Sequence, residues 1–173
     1  SENDVLPAGE AADGYLSGAF HAPGDNFAAH EDIKKYVYDR DKGAGERDRI
    51  GEVLYNRGLV AAMWTSEAIR NAMKIHGTNE VNASMVRDGF ESLEVGEERL
   101  AELGLAGFTY PISISCENHE GPGKVALQRW DAKAQTWSVV SKFYDPLRDI
   151  TGPLIKEDSE GYAAENNITP HEC

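Results

Sequence analysis

Four side chains with metal-binding chemistry fall into two close pairs, Cys116-Glu-Asn-His119 and His171-Glu-Cys173. Two thiolates and two imidazoles would suit a tetrahedral zinc ion, although His-x-Cys is not the spacing of a common zinc module. The same two cysteines could instead form a disulfide closing a loop of about sixty residues, which would contribute about 4 kcal/mol through chain entropy. They could also stay as free thiols. Spacing leaves all three readings open.

Other chemistry finds less support. A nucleophilic triad needs Ser or Cys beside a His that a carboxylate orients, and there is no Gly-x-Ser-x-Gly elbow. Gly43-Ala-Gly45 lacks the Lys-Ser/Thr of a phosphate loop and follows a helical stretch. Glu97-Glu98 and Glu157-Asp158 are adjacent on helical segments, so each pair diverges and reads as solvated surface, not an acid/base dyad. The informative stretch is Tyr55-Asn-Arg-Gly58. There Asn56 and Arg57 interrupt an apolar run of Val53, Leu54, Leu59 and Val60, and Gly58 would allow a backbone or ligand close approach. A helix start with an aromatic and amide donors suits a small anionic or zwitterionic ligand. In a purely structural role, Tyr55 is core and Arg57 is salt-bridged or snorkelling.

These residues need elements to position them. Gly14–His21 is short, apolar and aromatic, and reads as a buried strand. Apolar spacing predicts helices over Phe27–Asp41, Gly51–Ile75, Asn82–Leu93 and Gly96–Leu103, with a charge-dense loop at Asp39–Arg49. From Gly107 the period changes to two. Phe108–Ser115, Lys124–Trp130 and Thr136–Phe143 then read as an antiparallel meander. Leu147–Asn167 is helix-like, with Gly152-Pro153 starting or breaking it. The opening strand has no early βαβ unit to receive it, so the chain is expected to begin partway through a larger fold.

Composition bounds the rest. The chain has 173 residues, of which 40% are hydrophobic and 27% charged, which is globular and enough for a core. A net charge of −13 disfavours nucleic acid and anionic membrane surfaces as partners. No apolar run approaches the ~20 residues of a membrane helix.

Gly51-Glu-Val-Leu-Tyr-Asn-Arg-Gly-Leu-Val-Ala-Ala-Met63 with Glu67-Ala-Ile-Arg70, then Cys116-Glu-Asn-His-Glu-Gly121, Val125–Trp130 and Trp137, together resemble the C-terminal half of substrate-binding proteins of branched-chain-amino-acid-type ABC transporters. Phe20-His-Ala-Pro23 is similar to that family's segment entering the hinge. The resemblance implies an α/β, type I periplasmic-binding fold in which this partial chain contributes to both lobes. Residues 1–25 would end lobe two and form a hinge strand, 26–107 would be the helical region of lobe one, and 108–173 would be the C-terminal antiparallel β-meander and tail returning toward lobe two.

The implied function is non-enzymatic. An extracytoplasmic, periplasmic solute-binding component of an ABC importer would close its lobes on a branched-chain amino acid or similar small amide or carboxylate. The alternative is a ligand-binding sensor domain of the same fold in a signalling receptor. Expected ligand-binding residues are Tyr55, Glu52, Asn56, Phe20, His21 and Ile50; expected partners are the ligand, an ABC permease and a missing N-terminal portion carrying a signal peptide. The extracytoplasmic setting would let a Cys116–Cys173 bridge persist. No cofactor, metal or nucleic acid is expected.

Overall fold

The computed structural model describes residues 1–169 and 173. A three-stranded antiparallel sheet lies on one side and a helical layer on the other, and one long helix reaches into both. The sheet has the order β1 (Leu16–Ala19), β4 (Ala126–Asp131), β5 (Thr136–Val139). β2 (Glu94–Val95) and β3 (Ile112–Ser113) form a separate two-stranded ladder. The helices are α1 (Glu2–Val5), α2 (Ala28–Tyr36), α3 (Val53–His76), α4 (Ala83–Phe90), α5 (Glu97–Glu102) and α6 (Arg148–Glu165).

The long helix α3 forms where its period predicts. Val53, Asn56, Val60, Met63, Ala68 and Ala72 make one buried face, three or four residues apart with one further step. Gly77 ends the helix in the left-handed conformation, φ 62°, which costs a glycine nothing. Its first N–H group, on Val53, is capped from afar by the Glu2 carboxylate at 3.1 and 3.2 Å, where a negative charge meets the positive end of the helix. The residues before the first strand are structured as well: Val5 and Ala12 are buried beside Val53, Trp130 and Trp137.

That cluster is the sheet's core. The second core, in the helical layer, comprises Val60, Met63, Leu93, Val95, Leu100, Leu105, Phe108 and Ile112. α3 and α4 cross closely because small residues meet there; a Cβ on Gly89 would sit 2.1 Å from the Ala68 carbonyl oxygen. Asn82 caps α4 by accepting from the Met85 N–H at 3.1 Å.

The expected meander is corrected in one respect. β4 and β5 form the predicted hairpin, with Trp130 opposite Trp137. Phe108–Ser115 does not join them. It pairs with β2 through Ile112, and its Phe108 and Ile112 side chains lie in the helical core. The third strand is the opening one, with Leu16 opposite Arg129 and Ala19 opposite Ala126. The first strand is thus not an orphan, although its outer edge is unpaired among the described residues. Alternation identifies a strand and its faces, but not which strand it pairs with. Helix α6 runs through Pro153, and none of its residues is buried.

Candidate functional site

The start of α3 is organised by Asn56, which is fully buried. Its carboxamide N–H groups point at the backbone carbonyls of Ala22 (3.1 Å), Gly24 (2.9 Å) and Gly51 (3.3 Å). Its oxygen lies 2.8 Å from Nε2 of the buried His30. Because the amide donates on its other side, the oxygen must accept, which fixes a proton on His30 Nε2. Gly51 completes the junction at φ 94°, where a Cβ would lie 2.7 Å from the Asp25 nitrogen. One side chain thus joins the segment after β1, the helix α2 and the entry to α3.

Outside this junction lies a cleft of about 850 Å³ lined by Tyr38, Arg49, Glu52, Leu54, Tyr55 and the loop Gly43–Gly45. Arg49 grips Glu52 through Nε at 3.0 Å and Nη2 at 2.7 Å, one turn before Tyr55. Gly43 lies flat against the Tyr38 ring, and a Cβ there would be 2.6 Å from a ring carbon. Burial, with Tyr38 beside it, pushes the Tyr55 phenol above its ordinary value. The raised value keeps the Tyr55 phenol protonated at neutral pH, where it can donate a hydrogen bond into the cleft.

The six expected ligand-binding residues are dispersed. Tyr55 and Glu52 line the cleft together. Ile50 is buried and faces the opposite side, near Gly51 and Trp137. All polar atoms of Asn56 are engaged in the junction. Phe20 and His21 sit in an aromatic cluster, with His21 stacked on Phe108 at 5.7 Å and Phe20 beneath the Arg57 guanidinium at 5.6 Å. Burial pushes the His21 pKa down; the bond to the Ala22 carbonyl (3.1 Å) opposes this, and the Arg57 charge adds to it. Gly58 faces open space, with nothing within 4 Å of a built Cβ, so no backbone approaches it. Sequence reasoning missed Tyr38 and Arg49; their only signal was a loop unusually rich in charge and glycine.

The cysteine alternatives resolve to a Cys116–Cys173 disulfide, with a Cα–Cα separation of 5.5 Å. With both sulfurs bonded to each other, the zinc set loses its thiolates. Its fourth member, His171, lies outside the described residues. No group of three or more metal-binding side chains occurs among the described residues.

No family model matches the sequence, and no curated protein matches it. A solved structure described as an ABC transporter permease from the Pseudomonas fluorescens group superposes with a TM-score of 0.91 at 36% identity, covering 100% of this chain and 41% of that one. The chain is similar, end to end, to part of an ABC transporter component. It spans about two-fifths of the neighbour's length.

This finding corrects the functional expectation. The neighbour is described as a permease, so the reading of this chain as a branched-chain-amino-acid-type substrate-binding protein gives way, and with it the solute-binding, Venus-flytrap and sensor-domain roles. The motifs behind that reading have structural jobs here. Asn56 joins backbones, Cys116 is bridged, and Trp130 and Trp137 fill the sheet's core. Such residues report a shared scaffold, which does not fix what the scaffold does. Among the described residues no helix is long and apolar enough to cross a membrane.

Proposed function

We propose that this chain is a non-catalytic portion of a larger component of an ABC transport system, placed on the extracytoplasmic side. The observation that carries this reading is its likeness, along its whole length, to part of an ABC transporter component. Non-catalytic use is supported by the commitments of its reactive side chains. His21 and His30 are buried among aromatics, and both cysteines are bonded to each other. The disulfide favours an oxidising compartment.

That the chain works as part of something larger is supported by its uncovered apolar surface. Leu16, Leu127 and Val140 are exposed on the outer sheet, and Ile150, Leu154 and Tyr162 on α6. An apolar face of this kind calls for a covering layer, and polypeptide beyond the aligned two-fifths, as the neighbour has, would provide it. The two-lobed type I arrangement, with the sheet and the helical layer given to different lobes, belongs to this proposal.

The test is cross-linking of the tagged native product in membranes of its source cells, followed by identification of the captured subunits. Recovery of an ABC nucleotide-binding or membrane-spanning subunit supports the reading, and cross-links to no ABC subunit overturn it.

A further inference from the structure

Two five-residue stretches share one pattern although the fold places them apart: Glu80-Val-Asn82-Ala-Ser84, where the connection from α3 enters α4, and Glu165-Asn-Asn167-Ile-Thr169, at the end of α6. Each contains Asn-x-Ser/Thr with a residue other than proline in the middle, the acceptor signature for N-linked glycosylation in secreted proteins. Each also has a glutamate two positions before the asparagine, which is the longer signature that bacterial-type oligosaccharyltransferases read. Of the nine asparagines in the chain, only Asn82 and Asn167 have Ser or Thr two positions on, and both have the acid.

The first stretch is presented to solvent. Glu80, Asn82 and Ser84 are all exposed, and Asn82 has extended backbone, φ −107° and ψ 177°, just before the first turn of α4. Its Oδ1 caps the helix by accepting from the Met85 N–H, whereas its Nδ2 has no hydrogen-bond partner among the described residues. A sugar bonded to Nδ2 leaves that carbonyl oxygen in place, so the cap survives the modification. Capping accounts for Asn82 but asks for nothing at positions 80 and 84. Glu165, Asn167 and Thr169 are exposed too, with Asn167 at φ 53°. Pro170 follows that stretch in sequence, and proline restrains the residue before it, which ranks Asn82 first.

We propose that Asn82 is an N-glycosylation site, with Asn167 a second, weaker acceptor. The co-substrate is an oligosaccharide linked through diphosphate to a membrane lipid, and the catalyst is a membrane oligosaccharyltransferase. The amide nitrogen of Asn82 bonds the anomeric carbon of the sugar as the bond from that carbon to the diphosphate oxygen breaks. The lipid diphosphate leaves with the electron pair, the amide sheds one proton to water, and nothing is oxidised or reduced. The inference rests on the extracytoplasmic placement proposed above, since the transfer takes place on that side of the membrane.

The test is mass spectrometry of the native product from fractionated source cells, on the tryptic peptide of residues 75–87. Alkylation before reduction reads the Cys116–Cys173 bridge in the same sample. A bridged product outside the cytoplasm is expected to carry a saccharide mass on Asn82. Ser84→Ala and Glu80→Gln should each lose that mass and stay folded, because both keep the Asn82 cap. A bare Asn82 in a bridged, extracytoplasmic product overturns the inference and leaves the transport reading standing. A cytoplasmic product with free thiols overturns both. A saccharide that persists on Asn82 in either variant also overturns the inference, because the signature would then not direct it.

Discussion

The Nε2 atom of His30 and the Oδ1 atom of Asn56 lie 2.8 Å apart in a fully buried contact between α2 and α3. The contact leaves the Asn56 amide protons for the three carbonyls on its other side, so two helices and the chain entering them are fixed by one carboxamide.

Replacing Asn56 by Ala strands those three carbonyls and the His30 N–H. Each buried group left without a partner costs about 1–3 kcal/mol, and we expect a loss on the order of 3–5 kcal/mol in urea denaturation. Asn56→Asp replaces the donor that faces those three carbonyls with a further acceptor and is expected to be at least as damaging. A loss below about 1 kcal/mol for Asn56→Ala would show that the junction is held by other contacts.

Two glycines of the helical layer have opposite expectations. Gly89→Ala drives a methyl group into the Ala68 carbonyl, so α3 and α4 must separate; overpacking of this kind costs about 1–3 kcal/mol. Gly58 is exposed inside α3 with open space around it, and Gly58→Ala is expected to stabilise by about 0.5–1 kcal/mol through helix propensity. Thermal melts of the two variants side by side check both signs.

The Cys116–Cys173 bridge spans a sequence separation of 57. Its removal by Cys116→Ser with Cys173→Ser should lower stability by about 4 kcal/mol in the chain-entropy account. Denaturation of the double variant against the oxidised protein measures it. The reduced wild type should match the variant.

Acid should destabilise in two stages. His21 has a folded pKa below its ordinary value, because burial disfavours its charged form. It contributes stability above about 6.5, the unfolded value, and that contribution is lost as pH falls toward the folded value. Glu67 is also held low, first by its hydrogen bonds from Arg99 at 2.9 Å. Its share is present above about 4.3 and is lost as pH falls through the depressed value. Melting temperatures between pH 3 and 8 should therefore decline below about 6.5 and decline further below about 4.3. Glu67→Gln should flatten the second stage alone, by about 1 kcal/mol or less because Arg99 is partly solvated.

The sequence reveals most where information is local. α3 is announced by its period and its Gly77 stop, α4 by its Asn82 cap, and the β4–β5 hairpin by alternation around a polar turn. The partner of β1 and the desertion of Phe108–Ser115 to β2 depend on contacts distant in sequence, which alternation does not encode. Asn56 was legible as an anomaly, a polar residue on an apolar helical face, but periodicity does not distinguish an amide facing a ligand from one facing backbone. Tyr38 and Arg49 line a cleft only because a glycine loop folds over them.

The pairing of Leu16 with Arg129 also governs the order of events during synthesis. The ribosome makes β1 more than a hundred residues before the strand that receives it. At about 5–20 residues per second, β1 waits on the order of 5–20 s with its backbone unpaired. The contacts of α3 with α4 are much closer in sequence and can form during that interval. Synthesis thus allows the helical layer to form before β1 meets β4. A mutation that speeds aggregation without altering final stability would be sought in the waiting segment, Tyr15 to Phe20.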